Sequence, residues 1–469
     1  MKRYDVIIVG AGPGGIYCAK ELADKRPDLS ILLLEKGVNL SSRDCPINSG
    51  KVSSCINCAN CSIMNGFGGA GAYSDGKYVI TNSYGGNLCD YTGNEAALDL
   101  MYYVDEINQS YLNEPVKLFD SHNASFNIDC IRNDIHILNS KIRHLGTDLN
   151  YKILKCLYEE LKDKITLIFN SEVTKVEKCL QQFPFSAEDN YIVETRNEDT
   201  YWCKYCIISV GRSGSKWTSE LCKELDIKTK SNKVDIGVRV ELPYEVFAHI
   251  TDEVYESKLV YRTQQYNDLV RTFCMNPRGE VVAENTNGII TVNGHSYEDE
   301  ILKTDNTNFA LLVSKHMTDP FNNSNEYGES IARLSNMLGE GVIVQRFGDL
   351  VNGRRSTEKR IEESFIRPTL DATPGDLSLV MPKRFLDDII EMIYALDRIA
   401  PGTANDDTLL YGVEVKFYNM MVEVNNQLEA KQNLYIIGDG SGVTHSLAQA
   451  SASGVYVARN IMNKENKTS

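Results

Sequence analysis

Several features are missing from this sequence of 469 residues, and each absence disfavours a class of protein. No apolar run is long enough to cross a bilayer, which argues against a membrane protein. Cations are in deficit, with 49 Lys and Arg against 64 Asp and Glu, so a general nucleic-acid surface is not expected. The 13 cysteines are too sparse for a disulfide scaffold. No internal repeat or long low-complexity tract occurs.

The N-terminus also lacks the parts of a secretory signal. Its apolar run spans four residues and leads into glycines with no small-residue cleavage site. We therefore expect a cytoplasmic location.

The first forty residues carry a dinucleotide fingerprint. Asp5–Val9 is a short β-branched run, typical of a buried parallel strand, and Gly10-Ala-Gly-Pro-Gly-Gly15 follows at once. Helical spacing comes next, and a second apolar run ends at Glu35. This is G-x-G-x-x-G in its strand–turn–helix setting, with an acid placed to accept hydrogen bonds from ribose hydroxyls. The segment is predicted to bind a dinucleotide pyrophosphate at a helix N-terminus.

Three later segments resemble FAD enzymes of the glutathione-reductase-like and related superfamilies. Gly438-Asp-Gly440 closes a strand before a small-residue helix, and it is similar to the second fingerprint of those enzymes. The resemblance implies that Asp439 bonds a ribityl hydroxyl and that the helix points its N-terminus at the flavin. The segment ending in Gly211 looks like their Ala-Thr-Gly strand, and the stretch around Val173 like their adenine contact. No second G-x-G-x-x-G follows a strand, so NAD(P)H as donor would have to dock transiently.

With these motifs placed, nearly the whole chain resembles a bacterial family of NAD(P)/FAD-dependent oxidoreductases, or FAD-dependent dehydrogenases. Its marks here are Gly68–Lys77, Asp235–Glu241, Thr291–Ser296 and Val344–Leu350. The resemblance implies an α/β fold with a Rossmann-type FAD-binding domain and a mixed α+β second domain. Expected boundaries are FAD-binding parts at 1–95, 150–231 and 410–469, a helical insertion at 96–149 and a family-specific substrate domain at 232–409.

The predicted cofactor contacts come from the fingerprint, the glycine-rich loop, the adenine strand and the terminal turn. Five glycines in the eleven positions 66–76 leave room for backbone amides to approach a ligand. The set comprises Gly10, Gly12, Pro13, Gly14, Gly15, Glu35, Lys36, Gly69, Ala70, Gly71, Ser74, Val173, Val210, Gly211, Gly438, Asp439, Gly440, Leu447 and Ala448.

Four cysteines precede the glycine-rich loop with spacing suited to chemistry. Cys55-x-x-Cys58-x-x-Cys61, with Cys45 upstream, matches the first part of a ferredoxin-type cluster loop. Four thiolates also suit zinc, although two separated C-x-x-C pairs are more usual for that metal. Free or redox-active thiols are the third interpretation. All three place the thiols one short loop from the FAD.

Two residues are candidates for tuning the flavin chemistry. Lys77 would stabilise a reduced anionic ring by Coulomb attraction, or it is a solvated residue at a strand edge. His445 opens the helix that faces the flavin and would transfer a proton, or it caps and packs that helix. Three arginines, Arg346, Arg354 and Arg355, either hold an anion or pair with neighbouring acids.

The sequence thus predicts an FAD-dependent oxidoreductase that passes hydride or electrons between a donor and a small organic acceptor. The alternative is a flavin-based electron-transfer or redox-sensing protein that uses the thiols as an iron–sulfur or dithiol relay. The expected partners are a small-molecule substrate and, for the alternative, a redox partner protein, with no membrane and no nucleic acid.

Overall fold

The chain divides into two compact units in a computed structural model. The structure describes residues 2–52, 56, 58–179, 191–254, 256–286, 288–296, 300–321 and 323–468. The first unit comprises residues 1–119, 140–230 and 419–469, and the second comprises 120–139 and 231–418.

The helices of the described residues run in this order: α1 (Pro13–Lys25), α2 (Cys89–Thr92), α3 (Asn94–Ser110), α4 (Ala124–Arg132), α5 (Gly146–Lys162), α6 (Ser215–Glu224), α7 (Tyr244–Thr251), α8 (Ser324–Gly339), α9 (Phe347–Val351), α10 (Glu358–Glu362), α11 (Lys383–Asp397) and α12 (Leu447–Thr468). The strands are β1 (Lys2–Val9), β2 (Ile31–Leu34), β3 (Lys77–Ile80), β4 (Leu118–Asp120), β5 (Ile135–Ile137), β6 (Lys141–His144), β7 (Thr166–Ile168), β8 (Val173–Lys178), β9 (Tyr191–Thr195), β10 (Thr200–Ile208), β11 (Thr229–Lys230), β12 (Val234–Pro243), β13 (Leu259–Arg262), β14 (Leu269–Asn276), β15 (Glu280–Thr286), β16 (Ile289–His295), β17 (Asn306–Lys315), β18 (Ile343–Arg346), β19 (Thr373–Pro374), β20 (Leu409–Lys416), β21 (Met421–Val422), β22 (Glu429–Lys431) and β23 (Leu434–Ile436).

The first unit is built on a mostly parallel sheet in the order β22-β23-β10-β1-β2-β7, with β9 and β8 continuing from β10. β1 lies at its centre and pairs in parallel with both β10 and β2. Alternate β1 side chains enter two different hydrophobic clusters, Val6 and Ile8 on one face and Ile7 and Val9 on the other. Burial on both faces explains why β1 and β2 are continuous apolar runs.

Helices α1 and α12 cover one face of this sheet and pack closely against each other. A Cβ at Gly454 of α12 would overlap the carbonyl oxygen of Gly14 in α1. The small residues of α12 therefore allow the C-terminal helix to approach the helix of the fingerprint.

The second unit has an eight-stranded, mainly antiparallel sheet in the order β19-β18-β20-β12-β17-β14-β13-β5. Its two faces differ in chemistry. Along β12, Val234, Ile236, Val238 and Val240 enter a core to which α8 and α11 also contribute, whereas Asp235, Arg239 and Glu241 alternate with them and are also buried. One face of this sheet is thus apolar, and the other carries buried charge.

The α/β class and the strand–turn–helix segment expected from the sequence are present. The boundaries of the units differ from the expected ones at two places. β20 pairs with β12 and β18, so the second unit extends to residue 418 rather than 409. The expected helical insertion at 96–149 contains strands β4, β5 and β6 besides its helices, and pairing of β5 with β13 assigns residues 120–139 to the second unit.

Among the described residues, no helix combines the length and apolar character that a membrane crossing requires.

Candidate functional site

The glycines of the β1–α1 turn differ in the space around them. Gly10 has φ +102°, and a Cβ there would lie 2.6 Å from the carbonyl oxygen of Ser209. A Cβ at Gly14 would lie 2.7 Å from Ser209 Oγ, and one at Gly15 would overlap the carbonyl oxygen of Gly10. At Gly12 the nearest atom would be 3.9 Å away. Gly10, Gly14 and Gly15 are therefore required by the fold, whereas Gly12 faces open space.

The N-terminus of α1 opens beside Gly12. The helix starts at Pro13, and its N-cap residue, Gly12, has no side chain that could cap the helix. The first N–H groups of a helix have no partner within it and carry the positive end of its dipole. This end of α1 is suited to a phosphate.

Glu35 lies at the end of β2 and joins three loops. Its side chain is 6% exposed and accepts hydrogen bonds from the N–H groups of Ala11 (2.8 Å), Gly37 (2.8 Å) and Gly66 (2.9 Å). The carboxylate therefore organises the backbone around the fingerprint, a role that the sequence analysis did not predict. Its contact with a ribose stays a prediction. The neighbouring Lys36 is half-buried, and its carbonyl oxygen accepts a hydrogen bond from Asn60 Nδ2 at 2.8 Å.

The glycine-rich loop lies directly against the fingerprint. The N–H of Gly68 donates to the carbonyl oxygen of Ala11 at 2.8 Å. Gly69 has φ +57°, and a Cβ there would lie 3.2 Å from the Cα of Gly12. A Cβ at Gly71 would lie 2.8 Å from Leu447 Cδ2, so the start of α12 meets the same loop. Ala70 is exposed, and Ser74 Oγ donates to the carbonyl oxygen of Gly71 at 2.7 Å.

Arg43 holds this loop in place and was not singled out from the sequence. Its guanidinium donates to the carbonyl oxygens of Phe67 and Gly69, both at 2.8 Å, and to those of Ser62 and Ile63. Burial lowers the pKa of Arg43. No local pattern marks such a residue, because its acceptors are backbone carbonyls 19 to 26 residues away. Arg43 also borders a cavity of about 260 Å³ whose other lining residues include Tyr73 and Tyr151.

The terminal Gly-Asp-Gly turn lies beside the end of β10. The N–H of Gly440 donates to the carbonyl oxygen of Val210 at 2.9 Å, and Gly438 has φ +72°. Burial raises the pKa of Asp439, against the opposing charge of Arg212, whose Nε lies 3.3 Å from its carboxylate. A carboxylate that is only 25% exposed and has an exposed arginine as ion-pair partner is costly for the fold alone, which favours a ligand role.

Two buried hydroxyls near these turns have no hydrogen-bond partner among the residues that the structure describes. They are Ser209 Oγ, beside Gly14, and Thr444 Oγ1, just before α12. Gly211, two residues after Ser209, is exposed, and a Cβ there would meet nothing within 4 Å. Unpaired polar atoms around an open backbone fit a polar ligand with hydroxyl and phosphate groups.

The start of α12 is fixed to residues 81–88. The N–H of His445 donates to the carbonyl oxygen of Gly85 at 2.9 Å. Gln449, which is 1% exposed, donates to the carbonyl oxygens of Thr81 and Tyr84, both at 3.2 Å, and accepts from the N–H of Leu88. Ala448 is fully buried. This packing holds the N-terminal end of α12 in a defined position. The half-buried His445 lies two residues before the helix begins, rather than opening it.

The remaining candidates from the first unit lie on strands. Lys77 begins β3, where its Nζ lies 3.0 Å from Asp75 and its backbone pairs with His144. Its side chain is 23% exposed, which is intermediate between a fully solvated lysine and a buried one. Val173 begins β8 and is buried. The catalytic roles of Lys77 and His445 stay predictions.

The structure describes three of the four cysteines in the predicted group. Cys55 lies outside the described residues, Cys58 is exposed, and Cys45 and Cys61 are half-buried. Within the described part of the chain, no group of three or more Cys, His, Asp or Glu residues could hold a metal ion. The structure thus offers no support for a metal at Cys45, Cys58 and Cys61.

The three arginines singled out in the second unit have different partners. Arg354 binds the buried Asp349 at 2.7 Å and Arg346 binds Asp407, so these two pair with acids. Arg355 donates to the carbonyl oxygens of Ser356 and Pro374, both at 3.4 Å. Arg360, which the sequence analysis did not single out, also binds Asp349, at 2.6 Å.

The comparisons with known proteins agree with this geometry. Residues 233–417 match the family model described as FAD-dependent protein, C-terminal domain-like, and residues 8–43 match the NAD(P)-binding Rossmann-like domain. The second unit thus resembles the C-terminal domain of FAD-dependent proteins, and the start of the chain resembles a Rossmann-like nucleotide-binding segment.

Individual relatives are distant. An uncharacterized protein from Clostridium beijerinckii is 24% identical over 482 residues, covering 98% of this chain and 80% of that protein. Among solved structures, glycine oxidase from Geobacillus kaustophilus aligns with a TM-score of 0.40 and 10% identity, covering 99% of this chain and 95% of that one. NikD, an unusual amino acid oxidase essential for nikkomycin biosynthesis, aligns with a TM-score of 0.36 and 11% identity over 98% and 94%. Similarity at this level carries no argument about the chemistry of this chain.

Proposed function

We propose that the protein binds FAD non-covalently in its first unit and passes a hydride or an electron pair between a donor and a small organic acceptor. One observation carries this proposal. Segments around Gly12, Gly69, Val210 and Gly438, far apart in the sequence, meet at the carboxyl ends of β1, β10 and β23. Ligands of open α/β sheets bind at this edge.

Each part of this edge has a proposed role in holding the cofactor. The N-terminus of α1 and the open backbone at Gly12 would receive the pyrophosphate. Asp439 would accept a ribityl hydroxyl, and Ser209 Oγ and Thr444 Oγ1 would gain the hydrogen bonds that they lack among the described residues. Gly211 and the exposed Ala70 leave the approach open. The adenosine end would lie near Glu35, Lys36 and Val173.

FAD supplies the two-electron chemistry when it is bound. The protein's own contribution is electrostatic. The N-terminus of α12 carries partial positive charge, which favours an anionic group nearby. Lys77 would add a full charge, and His445 would hold or deliver a proton at its imidazole.

The test begins with the purified protein. We expect it to be yellow, with flavin absorbance that moves entirely to the supernatant when the protein is denatured, because the attachment is non-covalent. Reconstitution of the colourless apoprotein with FAD, but not with FMN, is the matched control, since FMN lacks the adenosine half that the fingerprint serves. A colourless protein that takes up no FAD would overturn the proposal.

The electron donor is a separate question. We propose NAD(P)H as the donor. Its docking would be transient, because no second fingerprint follows a strand in the sequence. Anaerobic mixing with NADH and, in parallel, NADPH should bleach the flavin with at least one of them. Absence of bleaching with both would remove the nicotinamides and point to a redox partner protein.

An iron–sulfur cluster at Cys45, Cys55, Cys58 and Cys61 also stays a prediction, as does the cytoplasmic location. Iron and acid-labile sulfide, measured after anaerobic purification, decide the first. The variant Cys58→Ser is the control, because it should lose any such iron without losing the flavin.

A further inference from the structure

The polar face of the second unit's sheet carries a continuous row of charged and aromatic side chains. On β12, Arg239 donates to Glu414 of β20 at 3.2 Å and to Asn308 Oδ1 of β17 at 2.9 Å. Further along the same face, Asp235 binds Arg271 of β14, and it accepts from the hydroxyl of Tyr418 at 2.6 Å. None of the predicted FAD contacts belongs to this row.

Two motifs that the sequence analysis attributed to the family meet in this row. Arg239 belongs to Asp235–Glu241, and Gly294 belongs to Thr291–Ser296. A Cβ at Gly294 would overlap Arg239 Nη2 and the side chains of Asn308 and Asn276. The glycine is required so that β16 can approach this part of the row.

Three cations surround one aromatic ring at the centre of the row. Measured to the ring centroid of Phe273, Arg271 Cζ lies at 4.9 Å, Lys258 Nζ at 5.0 Å and Lys416 Nζ at 5.5 Å. Phe273, Lys258 and Arg271 are all half-buried rather than sealed in the core. The arrangement forms an apolar floor with positive charge around it.

Positive charge exceeds negative charge in this row, although the whole chain has a formal charge of −15. Among the described residues, the cations are Lys233, Arg239, Lys258, Arg271 and Lys416, and the carboxylates on this face or near it are Asp235, Glu241, Glu256 and Glu414. Five cations against four carboxylates leave one positive charge in excess. Burial, reinforced by Arg271, lowers the pKa of Lys233, so an additional anion would stabilise its charged form.

Two donors in the row have no acceptor among the described residues. Arg271 Nε is buried without a hydrogen-bond partner, although its Nη2 binds Asp235 and Tyr418. Asn308 Nδ2 is also without a partner, and Asn308 is fully buried. Buried donors without acceptors are rare and costly, so each indicates a missing acceptor.

We propose that this face of the second unit binds a small organic oxyanion, a carboxylate or a phosphate ester attached to an apolar group. The oxyanion is held by Arg271, Lys258 and Lys416, and the apolar group lies on Phe273. The binding site does not depend on the proposed function.

The test uses the FAD-loaded protein and calorimetric titration with benzoate and with phenyl phosphate. Benzamide, the neutral counterpart of benzoate, is the matched ligand control. We expect saturable binding of at least one anion and none of benzamide. The stronger of the two anions distinguishes a carboxylate ligand from a phosphate ester.

Variants locate the binding on the protein. Lys258→Gln and Lys416→Gln should each weaken anion binding about tenfold, whereas Lys258→Arg should retain it, because each Gln change removes one charge beside the ring. Lys359→Gln, at a lysine that is 81% exposed in the same unit and paired with Glu363, should leave the affinity unchanged. Retained flavin absorbance and circular dichroism show that each variant folds.

The outcomes separate this inference from the proposed function. No saturable binding of either anion by FAD-loaded protein overturns the inference and leaves the flavoprotein proposal intact. Binding that is equal in Lys258→Gln, Lys416→Gln and Lys359→Gln also overturns it, because the anion would then lie elsewhere. Failure to load FAD overturns only the proposed function, since the same titration can then be run on the apoprotein.

Discussion

The two units use buried polar groups in different ways. In the first unit they lie where parallel strands end, on turns such as Gly438–Gly440, and several are without partners inside the described chain. In the second they lie within a sheet face, where Arg239 pairs with Glu414 and Asp235 pairs with Arg271 across neighbouring strands, although Arg271 Nε and Asn308 Nδ2 lack acceptors among the described residues. Loss of a group that a ligand would complete should have little effect on folding. Loss of one member of a buried ion pair should destabilise the fold, and substitutions can test this difference.

The largest effect is expected at Arg239, which is fully buried. Arg239→Met leaves Glu414 buried with only Lys416 as an ion-pair partner, at 3.2 Å, and should lower the free energy of unfolding by about 3 kcal/mol. Denaturant unfolding followed by circular dichroism measures it. The double variant Arg239→Met/Glu414→Gln should recover part of the loss, since it leaves no uncompensated charge. Equal stability of the single variant and the natural protein would show that the pair is not structural.

The next effect concerns the first unit and acts on the ligand rather than on the fold. At Gly12 a Cβ would lie 3.9 Å from its nearest neighbour, the carbonyl oxygen of Ser209. The apoprotein of Gly12→Val should therefore fold with little change in its melting temperature. The same side chain would block a pyrophosphate, and FAD affinity should fall by about a hundredfold, or about 2.7 kcal/mol. Titration of apoprotein with FAD, followed by flavin fluorescence, measures it.

Gly15→Val is the contrasting variant, because its side chain would overlap the carbonyl oxygen of Gly10. It should lower the melting temperature of the apoprotein itself. If Gly12→Val bound FAD normally, the role of α1 in cofactor binding would be wrong.

A smaller effect is expected at Asp439, where substitution should weaken FAD binding without lowering the stability of the fold. Burial raises the pKa of this carboxyl, which means that its charged form destabilises the folded apoprotein. Asp439→Asn should therefore melt at the same or a higher temperature near pH 7, yet bind FAD about tenfold more weakly. Arg212→Gln is the complementary change and should lower the melting temperature, because it removes the ion-pair partner. Unchanged FAD affinity in Asp439→Asn would contradict the ribityl role.

The smallest effect is a pH dependence in the second unit. Burial and the neighbouring Asp268 raise the pKa of Asp388 to about 6, while Arg384 and Lys315 lower the pKa of Asp268 to about 2. A raised carboxyl pKa means that stability falls as pH rises from the ordinary value, near 4, through 6. Asp388→Asn mimics the protonated acid, so it should remove this fall and add about 1 kcal/mol at pH 7.5 but little at pH 4.5. Melting curves across this pH range would contradict the assignment if both proteins changed in parallel.

Local chemistry made much of the first unit predictable. The run Ile31–Leu34 appears as β2 with the expected bounds, and the fingerprint is followed by α1 as the glycine spacing requires. Such signals are local, because strand propensity, helix start and turn conformation depend on residues within one or two turns of each other. The same holds for Gly438, whose positive φ only glycine adopts easily.

Contacts between distant segments were not predictable in the same way. Arg43 lies in a stretch without any pattern, yet it binds two carbonyl oxygens of the glycine-rich loop and two of the segment just before it. The strand β20 was expected in the first unit, but pairing with β12 places it in the second. Partners of this kind are chosen by which strands pair and which loops meet, and residue spacing carries no information about that.

The sequence by itself predicted a dinucleotide cofactor, because closely spaced glycines make backbone amides accessible to a pyrophosphate. Only the tertiary structure decided which charges meet, since Arg271 finds Asp235 36 residues away and Arg239 finds Glu414 175 residues away. Coulomb attraction and hydrogen bonding act over a few ångströms of space, whatever the separation along the chain.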